Sequence, residues 1–169
     1  MNNKNLRQLT FPIIVMGVSG CGKSTVGKAL SKKLNIPFID GDILHPESNI
    51  KKMKSGTPLT DDDRKDWLKN IGEILASKHI IIACSALKKK YRDQLRSYNN
   101  KLHFLHLHGS FSTIENRMTK RSDHYMPISL LESQFSTLEF PKNEKFIVNI
   151  NIEKSVEEII NEFIEIINK

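Results

Sequence analysis

Apolar residues along this chain fall into two alternating patterns: short continuous runs and stripes at helical spacing. Ile13–Met16 is an unbroken apolar run with β-branched residues that ends at Gly17, which predicts a buried strand. Val26, Ala29, Leu30 and Leu34 recur at three- and four-residue spacing and predict a helix over 23–34. Residues 37–40 predict a short second strand. Thr60 precedes Asp61, Asp62 and Asp63, an N-cap followed by acids in the first turn. The helix it opens carries Trp67, Leu68, Ile71, Ile74 and Leu75 on its apolar side. Residues 80–84 predict a third buried strand, 87–98 a basic helix and 102–108 a fourth strand. Ile114 and Met118 predict a helix running into Arg121. A polar, irregular piece follows over 122–127, then a helix over about 129–138 and a fifth strand over 146–152. Val156, Ile159, Ile160, Phe163 and Ile167 predict an amphipathic last helix. Strands alternating with helices predict an α/β fold, a five-stranded parallel sheet with helices on both faces.

The chain has 169 residues, which suits a single domain over 1–169. Such a domain buries roughly 70% of the surface of its unfolded chain and needs neither disulfides nor metal to fold. Hydrophobic residues make up 38% and charged residues 27%, a soluble globular composition. Cys21 and Cys84 form no disulfide framework and have no zinc-ligand spacing, which points to a reducing, cytoplasmic compartment. The apolar runs are far shorter than the roughly 18 residues of a membrane helix, so no membrane association is expected. Lys4 and Arg7 before the apolar stretch 11–18, with Cys21 after it, imitate a lipoprotein signal. Pro12 and Gly17 break that stretch, and cleavage there would destroy the motif at 17–24.

The net charge is +7, and residues 142–169 carry 4 Lys and 6 Glu, so the positive excess lies upstream. A basic surface suits nucleic acid or small polyanions. No aromatic residues interleave with the basic clusters apart from Tyr91, so nucleic acid is not an expected partner.

Gly17-Val18-Ser19-Gly20-Cys21-Gly22-Lys23-Ser24 matches G-x-x-x-x-G-K-[ST] in full, between a strand and a helix. In such a loop the N–H groups point at phosphate oxygens and the helix start adds its positive dipole end. Gly17 to Ser24, with Thr25, are therefore the candidate ATP-binding residues. Lys23 reaches the β- and γ-phosphates, and Ser24 offers a hydroxyl to Mg²⁺. Cys21 reads as a small filler of the loop. Asp40-Gly41-Asp42 closes the second strand, expected beside the first. Asp40 is the candidate metal-side carboxylate, acting through water, and Asp42 the candidate base for an attacking hydroxyl.

Further segments make the pattern more specific. Asp40 to Pro46 (DGDILHP), Asn49 to Met53 (NIKKM), Gly56 to Arg64 (GTPLTDDDR) and Cys84 to Lys88 (CSALK) occur with Trp67-Leu68, Tyr91-Arg92, Ser133-Gln134-Phe135, Leu138-Glu139 and Pro141. Together these resemble the gluconokinases of the shikimate-kinase-like P-loop group, over about residues 13–141. The resemblance implies a three-layer α/β/α P-loop kinase fold and phosphorylation of D-gluconate at its 6-hydroxyl with ATP and Mg²⁺. Gluconate needs a cation for its carboxylate and polar groups for its hydroxyls. Arg64 is the candidate carboxylate clamp, because a guanidinium binds carboxylate bidentately. His45 is the candidate polyol contact. Lys88 and Arg92, one helical turn apart, either face the acceptor or belong to a solvated basic helix. A kinase for another hydroxy-acid such as shikimate, or a non-enzymatic nucleotide-binding protein, is the competing reading. A homodimer stays open.

Arg117 and Arg121 are one turn apart and read as cations for the γ-phosphate, Arg121 being the catalytic one. They border an expected mobile lid over about 118–127. Ser122-Asp123-His124-Tyr125 stands where the family usually has Lys-Gly-His-aromatic. Asn149 or Asn151 stands where the family tends to carry an aspartate, in a loop expected to contact adenine. His106 and His108 would share one strand face and His103 the other, with no acidic or cysteine partner nearby to complete a metal site.

Overall fold

Residues 9–120 and 127–169 are described here from a computed structural model of the chain. The alternating patterns produce strand β1 (Ile13–Met16), helix α1 (Lys23–Leu34), strand β2 (Phe38–Asp40) and a 3-10 turn at Gly41–Leu44. Helices α2 (Glu47–Lys54) and α3 (Asp61–Ser77) follow, then β3 (Ile81–Ala83), α4 (Lys89–Tyr98) and β4 (His103–His108). Helices α5 (Phe111–Thr119) and α6 (Ser129–Thr137), strand β5 (Ile147–Asn151) and helix α7 (Val156–Ile167) complete the order. No helix among the described residues is long and apolar enough to cross a membrane.

All five strands are parallel, in the order β2-β3-β1-β4-β5. Strand β1 is central and fully buried, which is why its sequence is a continuous apolar run rather than an alternating one. Ile13 and Val15 face a layer that includes Val26 and Leu30 of α1, Ile114 of α5 and Phe163 of α7. Ile14 and Met16 face the opposite layer, with Trp67, Leu68 and Ile71 of α3 and Leu95 of α4. The result is the expected three-layer architecture.

Two expectations need correction. Helix α2 went unread because it is almost entirely polar, burying only Asn49 and Met53 on one turn. An amphipathic pattern this thin gives no 3.6-residue signal. Strand β2 is also not adjacent to β1, because β3 lies between them. The second strand's carboxylates therefore reach the glycine-rich loop from across β3. The turn that follows β2 packs closely on the end of β3 at Gly41. A Cβ at this position would lie 2.4 Å from the Ala83 carbonyl oxygen. The Gly41 carbonyl in turn accepts a hydrogen bond from the buried Trp67 indole at 2.8 Å.

Gly41→Ala is thus expected to force β2 and β3 apart and to destabilise the fold by about 1–3 kcal/mol, the usual cost of overpacking. Urea unfolding checks the size of the loss. A stability equal to wild type would show that the strands accommodate the methyl group.

Candidate active site

Helix α1 begins on Gly22, whose φ of 97° is left-handed, and no side chain caps its first N–H groups. It has no acidic residue in its first turn either. Helices α3 and α7 close the same positions with reciprocal boxes, Thr60 with Asp63 and Ser155 with Glu158. An uncapped start after a glycine-rich loop leaves donors and a positive dipole end for an anion.

The loop is held from within and from outside. Lys23 Nζ donates to the Val18 carbonyl at 2.9 Å, which keeps the ammonium at the loop. The Ser19 N–H donates to Gln134 Oε1 of α6 at 2.6 Å. Cys21 is 1% exposed, and burial raises its thiol pKa, so it is a packed filler rather than a nucleophile. Val18 of the same loop is likewise buried.

Ser24 Oγ, in the first turn of α1, donates to Asp40 Oδ2. Asp40 Oδ1 accepts the Asp42 N–H at 3.0 Å and so caps the 3-10 turn. One hydrogen-bonded chain therefore runs from the loop through the Asp40 carboxylate to the backbone of Asp42. A hydroxyl beside a carboxylate is a hard-oxygen donor pair of the kind Mg²⁺ accepts. Asp42 lines the same cleft as Lys23 and Ser24.

His45 and Arg64 also line this cleft. His45 is 8% exposed and stacks on Trp67 with ring centroids 4.1 Å apart. Asn49 Nδ2 lies 3.2 Å from His45 Nδ1 and 2.6 Å from the Asp63 carbonyl oxygen. An amide nitrogen only donates, so His45 Nδ1 accepts and its proton resides on Nε2. Burial, with the Arg64 charge adding to it, lowers the His45 pKa to about 4. The ring is neutral at pH 7 and offers an N–H donor. Arg64 Nη1 donates to the carbonyls of Leu59 and Thr60, and its guanidinium carbon lies 5.6 Å from the Tyr91 ring centroid.

The structure thus brings Ser19, Gly20, Gly22, Lys23, Ser24, Asp40, Asp42, His45 and Arg64 into one cleft. Others of the expected residues do not line this cleft. Thr25 is exposed and Gly17 is buried, and neither lines the cleft. Arg117 donates to the Ile152 carbonyl at 2.7 Å, and its charge is felt at Cys21 in the glycine-rich loop. Lys88 is paired with Asp61 at 3.1 Å outside the cleft. Arg121 and residues 121–126 of the expected lid lie outside the described residues.

Arg92 is a correction. It is fully buried, and its three nitrogens donate to Glu144, to the carbonyls of Ala86 and Leu87, and to the Glu139 carbonyl. With all its N–H groups engaged it has nothing left for an acceptor. It fastens the segment after α6 to the start of α4. Asn149 and Asn151 are a second correction, because they lie on β5 rather than in a loop. Asn149 joins His106 Nδ1 at 2.7 Å to the Pro141 carbonyl at 3.0 Å.

Sequence reasoning missed the roles of Gln134, Trp67 and Asn49. Gln134 sits in a quoted motif, but no spacing links it to a partner 115 positions away. Trp67 read as a core residue, and it is also the surface on which His45 rests. Asn49, 2% exposed, lies on the unread α2.

The shikimate kinase family model matches residues 19–168. The thermoresistant gluconokinase of Escherichia coli (strain K12) is 43% identical over 162 residues, covering 92% of this chain and 93% of that one. The crystal structure of a gluconokinase from Sinorhizobium meliloti 1021 is 48% identical, with a TM-score of 0.87 over 94% of this chain and 92% of that one. A shikimate kinase from Bacteroides thetaiotaomicron shares the fold, with a TM-score of 0.69 at 19% identity, covering 94% of this chain and 99% of that one.

Burial also lowers the fully buried His106 to about 4. An imidazole whose folded pKa lies below its unfolded value near 6.5 resists protonation in the native state. Between pH 6.5 and about 4 the unfolded chain binds more protons at His45 and His106, so stability falls as the pH drops through that window. The expected loss is on the order of 3 kcal/mol for each ring at full protonation. Urea midpoints from pH 7 to pH 4 should show a steeper decline for wild type than for His106→Gln; parallel declines would remove His106 from the account.

Proposed function

The chain belongs to the gluconokinases of the shikimate kinase family, and from that premise we propose that it phosphorylates D-gluconate with ATP to give 6-phospho-D-gluconate and ADP. The observation that carries this reading is the shared cleft. It is lined by a phosphate loop, tied through Ser24 and Asp40 to the Asp42 backbone, together with the Asp42, His45 and Arg64 side chains.

The loop amides and the start of α1 hold the triphosphate, and Lys23 places its charge on the β- and γ-phosphates. Ser24 and Asp40, the latter through water, would hold Mg²⁺, which when bound neutralises phosphate charge. Arg64 binds the gluconate carboxylate, and the His45 Nε2–H donates to a hydroxyl of the polyol chain. This fixes the opposite end of the substrate near Asp42, so that proximity rather than new covalent chemistry lowers the barrier. Asp42 accepts the proton of the 6-hydroxyl as its oxygen bonds to the γ-phosphorus and the bond to the β-phosphate oxygen breaks. Arg121 is retained on its sequence position alone as the cation that offsets charge in the transition state. Two buried free thiols, Cys21 and Cys84, support a reducing, cytoplasmic setting.

ADP release is expected with gluconate, ATP and Mg²⁺, and only background release with shikimate or gulonate. Turnover of another acid with none of gluconate would overturn the assignment. Asp42→Asn is expected to lower kcat by about 10²–10⁴-fold with ATP binding retained. A near-normal kcat in that variant would take the proton-acceptor role away from Asp42.

A further inference from the structure

Arg64 sits in the first turn of α3 among three aspartates, a poor place for a cation that must stay free to bind an anion. Asp61, three residues before it, is within reach of an ion pair on the same helix face. Asp63 adjoins it in sequence. Both carboxylates are engaged elsewhere. Asp63 takes the Lys52 ammonium at 2.8 and 2.9 Å and closes the capping box with Thr60 at 2.8 Å. Asp61 accepts from Lys88 Nζ at 3.1 Å, from Lys90 Nζ and from the Tyr91 hydroxyl. Tyr91 is 4% exposed, so its hydroxyl is a fixed anchor rather than a wandering surface group. These hydrogen bonds, from Lys90, Tyr91 and Lys88, hold the Asp61 carboxyl well below the usual carboxylate range.

We propose that Lys88, Lys90 and Tyr91 are positioning residues for acceptor binding, which hold Asp61 away from Arg64 and so keep the guanidinium available to the acceptor carboxylate. The inference rests on the reading of Arg64 as the carboxylate clamp of a sugar-acid kinase. It assigns a purpose to the basic start of α4 that direct contact does not supply, since Lys88, Lys90 and Tyr91 all lie outside the cleft lining. The same ring that anchors Asp61 also lies beneath the Arg64 guanidinium, 5.6 Å from its central carbon. Tyr91 therefore supports the cation with its face and removes the competing anion with its hydroxyl. Exposed ion pairs of this kind add little to stability, so their effect is expected in binding.

The test is a rescue. The triple variant Lys88→Met, Lys90→Met, Tyr91→Phe keeps the apolar stems and the ring but releases Asp61. Its KM for gluconate is expected to rise about fivefold, the scale of one partly exposed ion pair, with kcat and the KM for ATP within about twofold of wild type. Adding Asp61→Asn to the triple variant is expected to return the gluconate KM to near the wild-type value. An unchanged KM in the triple variant, or a raised KM that Asp61→Asn fails to restore, overturns the proposal. A general structural role would not be rescued by deleting a carboxylate. Wild-type enzyme that ignores gluconate overturns the substrate assignment alone. A crystal structure of the triple variant then decides the remaining point: Asp61 within about 4 Å of the Arg64 guanidinium supports the proposal, and Asp61 turned to solvent overturns it.

Discussion

The site depends on a helix that starts without a cap of its own. Gly22 lets α1 begin in a left-handed conformation, and its first-turn donors stay open. Their orientation is fixed because α1 packs on β1, the central and fully buried strand. Ser24 then carries the helix start outward to Asp40 on β2, and Asp40 fixes the backbone of Asp42. The glycine-rich loop and the Asp40-Gly41-Asp42 turn are therefore parts of one hydrogen-bonded unit.

Core packing and the cleft are joined in the same way on the other side of the sheet. Trp67 belongs to the layer formed with Ile14 and Met16. Its indole nitrogen holds the Gly41 carbonyl between the two aspartates, and its ring carries His45. Asn49 completes the support by fixing which His45 nitrogen bears the proton.

Arg64 and Arg92 show how environment rather than residue type sets a role. Each is a candidate acceptor contact on the sequence, and each is a guanidinium with five possible donors. Arg92 is taken into the interior, where Glu144 and three backbone carbonyls match its planar fork and leave no capacity for a ligand. Such a buried pair is costly to break, and it secures the segment following α6. Arg64 keeps one edge on backbone carbonyls and remains at the cleft, while lysines from two other segments occupy the neighbouring aspartates.

Periodicity and short motifs made much of this legible beforehand. The five strands, the helices with apolar stripes and the phosphate loop announce themselves because each follows from contacts within a few residues of chain. Asp40, Asp42, His45 and Arg64 were legible as candidates because they occur in short segments with a chemical logic. Helix α2 was not, since two buried positions in eight residues make no stripe. Nor were the insertion of β3 between β1 and β2, the hold of Gln134 on Ser19, or the opposite fates of Arg64 and Arg92. Each of these is a pairing between segments far apart in sequence, and no local pattern of residues encodes which distant partner a donor will meet. That is settled only when the two faces of the sheet are covered and distant donors and acceptors are brought together.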